Sequence, residues 1–162
     1  MSGPAEAQPT VAVSTTIDAT PEAVYALVAD LPRMGEWSTE TAKVTWLGEA
    51  TEARADARFR GTNRNGFRRW QTTCTVVVAE PGREISWRAR SLGLAVALWS
   101  YQFEPDGEGG TTVTESTTDE RGALFRVFGP LATGVRDRSG HNADTMRATL
   151  SHLKAEAEST RS

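Results

Sequence analysis

The chain has one cysteine, Cys74, among 162 residues. That excludes an internal disulfide and any cysteine-cluster metal centre. Its two histidines, His141 and His152, lie eleven positions apart, a poor spacing for sharing a metal ion. No metal and no cofactor are therefore expected. No apolar run approaches the roughly 18 residues needed to span a bilayer, so no integral membrane segment is expected. The net charge of -3 is too mild to recruit nucleic acid or an acidic lipid surface. No nucleophile elbow, phosphate-cradling glycine loop, metal-ligand spacing or internal repeat occurs. Residues 1–9 are small and polar without a hydrophobic signal stretch, so they read as a disordered tail and the protein as cytoplasmic. Residues 10–157 read as one domain, large enough for a real core, and residues 158–162 as a short second tail.

What is present is an ordered succession of elements. Val11, Val13, Thr15 and Ile17 alternate with smaller residues, as in a half-buried strand. Thr20-Pro21-Glu22 then supplies an N-cap, a proline suited to the first helical position and an acid for the positive helix end. Val24, Leu27, Val28 and Leu31 follow at helical spacing, and Pro32 opens a second short helix to about Trp37. Six strands are expected next, over 42–48, 57–63, 67–80, 84–90, 95–104 and 111–118. Asn65-Gly66 is a type I′ hairpin signal, which requires positive φ at both residues. Short loops throughout imply antiparallel neighbours.

From Gly122 to Ser159 the pattern is helical. One straight helix would be roughly 55 Å long at about 1.5 Å per residue, more than the roughly 40 Å width of such a domain. Gly129-Pro130 is the expected break, with a short helix to Phe128 and a long one from Pro130. The fold class is α+β: a curved antiparallel sheet, two short helices after the first strand, and one long terminal helix laid across the sheet. One helix cannot fill a strongly curved sheet, so a cavity is expected between them.

Candidate cavity residues follow from the faces. Trp46, Phe59, Trp70, Trp87, Trp99, Tyr101 and Phe103 all fall in strands. Trp70, Thr72, Cys74, Val76 and Val78 share one face by period two, as do Trp99, Tyr101 and Phe103. On the terminal helix, Leu131, Val135, Arg138, Asn142, Met146, Thr149 and Leu153 form one stripe at about 100° per residue. Arg138 and Asn142 sit in it where leucine would be expected. Either they face a wet cavity or ligand, or Arg138 reaches to solvent and Asn142 bonds a backbone group. His141 lies off the stripe and reads as a flank residue. Trp37, leaving the short helices, could cap the cavity mouth, with Glu40 beside it. Glu115 is a mid-strand acid. Phe128 and Leu131 would close the helix side. A volume of a few hundred Å³ suits a drug-sized ligand. The nine arginines between Arg54 and Arg90 read as an outward strand face balanced by the acids of 104–120, in preference to an anion-binding surface.

Several stretches resemble a known family. Ile17-Asp18-Ala19-Thr20-Pro21-Glu22-Ala23-Val24-Tyr25-Ala26-Leu27-Val28 looks like the opening of START-like (SRPBCC) proteins. Leu31-Pro32-Arg33-Met34 leading to Trp37-Ser38 and Glu40 continues that pattern, as do Glu80-Pro81-Gly82-Arg83-Glu84-Ile85-Ser86-Trp87 and Gly109-Gly110-Thr111-Thr112-Val113. The branch it resembles most is the polyketide cyclase/dehydrase-like group. The resemblance implies a helix-grip fold, a seven-stranded sheet curled around a long C-terminal helix, and an internal site for lipids, sterols, polyketides or other hydrophobic molecules. Thr39 stands where that branch often has proline after Trp-Ser. No acid/base set carries over, so catalytic residues stay unassigned. The expected function is binding of a small polyketide-like, aromatic or lipid-like ligand by a monomer or homodimer. The enzyme alternative is a cyclase or aromatase using Asn142, Arg138, Glu115 or Tyr101. A protein-interaction module, marked by a filled core and an exposed apolar patch, is the third.

Overall fold

Strand β1 (Val11–Ile17) opens the fold, and Thr20 caps the helix after it, its side chain accepting from the Ala23 N–H at 3.3 Å. In the computed structural model, which describes residues 8–123, 126, 130, 134, 135 and 137–160, helix α1 (Pro21–Ala29) runs into a 3-10 helix (Leu31–Glu36). Strands β2 (Thr41–Trp46), β3 (Arg58–Asn65), β4 (Arg68–Glu80), β5 (Glu84–Ser91), β6 (Leu94–Pro105) and β7 (Thr111–Asp119) follow. Helix α2 (Arg138–Ser159) closes the chain. The strands form one seven-stranded antiparallel sheet in the order β1-β7-β6-β5-β4-β3-β2. The two short helices thus carry the chain from one sheet edge to the other, and α2 packs chiefly on β1. This is the curved sheet and long helix anticipated from the order of elements, and the helix-grip fold that the resemblance implied. Among the described residues, no helix is long and apolar enough to cross a membrane.

The core is built where α1, the C-terminal half of α2 and the sheet meet. Val24, Val28 and Leu31 pack with Ile17, Ile85, Phe103, Val113, Leu150, Leu153 and Ala157, all buried. The helical phase read from the sequence holds, since Asn142, Met146, Thr149 and Leu153 are buried. Glu158 belongs to the folded body and not to a tail: its carboxylate accepts from the Asp18 N–H at 3.0 Å and from Lys154 Nζ at 2.6 Å. Lys154 also donates to the Thr16 carbonyl at 2.7 Å, fastening α2 to β1. The arginines of β3 and β5 point outward as expected, and Arg88 meets Glu120 at 2.9 Å.

Two expectations are corrected. The long helix starts at Arg138, not Pro130. Gly134 has φ of 74°, a left-handed conformation that favours glycine, and Asp137 caps the helix by accepting from the Gly140 N–H at 3.0 Å. The expected break at Gly129 and the short helix ending at Phe128 lie outside the described residues. The first hairpin turns at Gly66-Phe67, with Asn65 paired to Arg68 and only Gly66 at positive φ. Positive φ at the first loop residue alone is the type II′ pattern, not I′. Moving the turn by one residue shifts the pairing by two, so the same faces remain inward and the wall survives the error.

Gly35 fixes how the 3-10 helix meets β2. A Cβ there would lie 2.7 Å from the Ala42 carbonyl oxygen, a backbone atom that cannot swing away. Gly35→Ala is expected to destabilise the fold by about 1–3 kcal/mol. A lower urea midpoint with unchanged slope would register this, and an unshifted midpoint would refute the packing.

Candidate functional site

The inner face of the sheet and α2 enclose a cavity of about 100 Å³. Of the residues proposed from sequence, Phe59, Trp70, Thr72, Cys74, Trp87, Trp99, Tyr101, Glu115 and Arg138 line it. The volume is smaller than the few hundred Å³ expected. The reason is a chain of rings that fill space by contacting one another: Trp46 edge-on to Phe59 (centroids 5.9 Å), Phe59 edge-on to Trp87 (5.8 Å), and Trp87 stacked on Tyr101 (5.8 Å).

Not every candidate reaches the cavity. Trp37 is buried in the core beneath Arg33, and its carbonyl is bonded to His152 Nδ1 at 2.9 Å, so it does not cap the mouth. Trp46 backs the wall through Phe59 without lining it. Met146 is buried outside the lining, and Val135 is buried ahead of α2 and not on it. Asn142 faces a smaller adjoining pocket. Phe128 and Leu131 lie outside the described residues.

The β2–β4 wall carries a satisfied polar ladder. Thr41 Oγ1 donates to Asn63 Oδ1 at 3.0 Å, and Asn63 Nδ2 donates to Thr72 Oγ1 at 3.4 Å. Asn63 and Gly61 were missed from sequence, though they share the period-two face of Phe59. Met34, Ser38, Val96 and Thr145 also line the cavity, and no local signal marks them. Cys74 contacts Thr72, and burial pushes its thiol up to about 12, so it packs as an unreactive side chain.

The opposite wall differs. Glu115 is paired across strands with Tyr101 and is buried to 4% exposure. Its Oε2 has no hydrogen-bond partner. Burial raises its carboxyl to about 8, with Tyr101 pulling the other way. The Tyr101 hydroxyl is raised well above its ordinary value by burial and by the neighbouring Glu115. A carboxyl so placed is mostly protonated at pH 7 and can donate as well as accept.

A charged cluster stands where α2 begins. Arg138 Nη2 meets Glu40 Oε1 at 2.7 Å, its guanidinium lies 5.8 Å from the Trp70 ring centroid, and His141 Nε2 is 3.3 Å from Glu40 Oε2. These groups tie the first turn of α2 to the loop before β2. His141, set off the stripe by its phase, is a flank residue that stands beside Glu40 without a hydrogen bond from its Nε2. Among the described residues, no group of three His, Cys, Asp or Glu side chains is placed to hold a metal ion.

Sequence and fold both relate the chain to known proteins. The family model described as polyketide cyclase / dehydrase and lipid transport matches residues 8–158. The chain belongs to this family. None of the curated proteins matches it in sequence. Among solved structures, a Thermus thermophilus protein superposes with a TM-score of 0.67 at 18% identity, over 94% of this chain and 99% of its own. A Deinococcus radiodurans protein gives 0.63 at 22% identity, over 90% and 95%. The di-domain ARO/CYC StfQ from the steffimycin biosynthetic pathway gives 0.69 at 15% identity, covering 93% of this chain and 51% of that larger one. At such identities these likenesses speak to the fold alone. For a polyketide cyclase/dehydrase family member, the distinctive local feature is the buried Glu115–Tyr101 pair on an aromatic wall.

Proposed function

We propose that this protein binds one small, largely apolar, oxygen-bearing molecule in the cavity between sheet and α2. The observation that carries the reading is the unpartnered Glu115 Oε2 on a wall made of Trp87, Trp99 and Tyr101. A buried polar atom without a partner costs about 1–3 kcal/mol, so a ligand oxygen or water there recovers it. Aromatic walls recognise flat rings, and the cavity volume favours a compact aromatic or polyketide-like molecule over a long acyl chain. The family's description and the biosynthetic setting printed for StfQ support the same class.

Native mass spectrometry of freshly purified protein tests this first, by seeking a retained small molecule. Hydroxylated one-ring and two-ring aromatics should also quench the cavity tryptophans saturably. Glu115→Leu should weaken that binding about tenfold while leaving the protein folded, because one hydrogen bond in a dry site is worth about that much. No adduct and no saturable quenching up to millimolar probe would refute the reading.

A second reading, cyclase-type catalysis, draws on the same pair. A carboxyl raised to about 8 is poised to exchange a proton with a bound enol or ketone near neutral pH. Its discriminator is turnover: a poly-ketone probe must change chemically with wild-type protein and not with Glu115→Gln.

A further inference from the structure

Beside the main cavity lies a side chamber of about 40 Å³, sharing Val96, Trp99 and Arg138 with it. Three buried polar atoms without partners belong to residues that line this chamber: Thr117 Oγ1, Asn142 Oδ1 and Arg138 Nη1. Thr117 and Asn142 are buried to 2% and 7% exposure, and they come from β7 and α2, on opposite sides of the chamber. Native interiors seldom leave such groups unpaired, so three around one small space mark a place for a polar group. The space has room for a few waters or one ligand substituent.

We propose that this chamber holds a hydroxyl group of the ligand, with its aromatic ring in the main cavity. The inference rests on the binding function proposed above and specifies its ligand as a phenol. The donor set selects the group. Arg138 Nη1 offers an N–H, Asn142 Oδ1 offers an acceptor, and the Thr117 hydroxyl serves as either. A hydroxyl satisfies all three: it accepts from Arg138 and from the Thr117 hydroxyl, and it donates to Asn142. A carboxylate has no proton for Asn142 Oδ1 and would set two acceptors face to face, although Arg121, paired to Asp119 at 2.9 Å, also lines the chamber. An ammonium would face Arg138. A methyl group would leave all three atoms unpaired and dry. Specificity of this kind, enforced by the protein's own buried polar groups, is stronger than that from shape alone.

The test uses a matched pair of probes, p-cresol and p-xylene, which differ by a hydroxyl in place of a methyl. Calorimetric titration of the wild-type protein should show p-cresol bound at least about tenfold more tightly. Thr117→Val, which keeps the side-chain shape, and Asn142→Leu should each reduce that preference. The double variant should abolish it while p-xylene affinity stays within about threefold. Equal binding of the two probes by wild-type protein, or a preference that survives both substitutions, would overturn the chamber assignment and leave the cavity reading intact. Absence of binding by either probe up to millimolar concentration would overturn both. The wild-type comparison decides the matter even if a variant fails to fold.

Discussion

Between pH 5 and pH 8 the ligand-free protein is expected to lose roughly 3–4 kcal/mol of stability as the pH rises, and Glu115→Gln is expected to remove most of that loss. The carboxyl of Glu115 moves from 4.5 to about 8 on folding, because burial disfavours its charged form. A raised carboxyl reverses the usual acid pattern. Below about 4.5 the carboxyl is protonated in both states and contributes no difference. Above that, the unfolded chain releases its proton while the folded one keeps it, so the folded state binds more protons and stability falls with pH. The fall ends near pH 8, where the folded carboxyl also ionises. Asp119, Tyr101 and Cys74 are also held away from their ordinary values, but outside this window. Arg121 holds Asp119 below its ordinary value, so that contribution is present at neutral pH and lost only as the pH falls through the acid range. Tyr101 and Cys74, both raised, titrate above the window. For a domain of this length the expected change corresponds to a drop of roughly 7–14 °C in melting temperature. The measurement is thermal unfolding of refolded, ligand-free protein at half-unit pH steps. A flat wild-type profile, or a slope that persists in Glu115→Gln, would falsify the assignment of Glu115 as a buried neutral acid. Added phenol should steepen the contrast if it engages the protonated form.

The sequence made some parts of this site legible and hid others, for physical reasons. The inward faces of β4 as far as Val76, of β6 and of α2 could be read because period two and period 3.6 are local properties of the chain, whereas the irregularity between Val76 and Val78 takes Val78 off the face expected for it. Asn142 and Thr149 fall on the buried side of α2 on that ground alone. The start of α2 was misplaced because Gly129-Pro130 is a louder local signal than Asp137, whose capping role depends on the Gly140 N–H reaching back to it. The turn at Gly66-Phe67 was misplaced because Asn-Gly encodes two allowed turns, and the pairing across β3 and β4 chooses between them. The size of the cavity depends on how four rings from four strands interlock, which no single-strand pattern carries. The pairing of Glu40 with Arg138 bridges 98 positions of sequence, so only the closed fold reveals it. Each of the two looked like an isolated surface charge or an isolated anomaly in an apolar stripe.

That pair is the basis of the second large effect. Arg138→Met is expected to destabilise the protein by about 2–3 kcal/mol, whereas Glu40→Gln combined with Arg138→Met should return to within about 1 kcal/mol of wild type. The side chains are only 20% and 12% exposed, so the contact is neither a solvated surface pair nor a fully dry one. Removing the arginine leaves the Glu40 carboxylate in a half-buried site with His141 as its remaining neighbour at 3.3 Å, an arrangement that costs more than the pair itself contributes. Neutralising both partners removes the stranded charge, and the methionine stem still covers Trp70. The expected coupling in the double-mutant cycle is therefore about 1–3 kcal/mol. A control on the same helix is Arg147 with Asp144, 63% and 83% exposed; Arg147→Ala should shift stability by no more than about 0.5 kcal/mol. The single Arg138 variant should also bind and release probe ligands faster, since the contact fastens the first turn of α2 over the cavity that Glu40 and Arg138 both line. If Arg138→Met matches Arg147→Ala in stability and leaves exchange rates unaltered, the contact is a surface ornament, and α2 is held over the sheet by its apolar half alone.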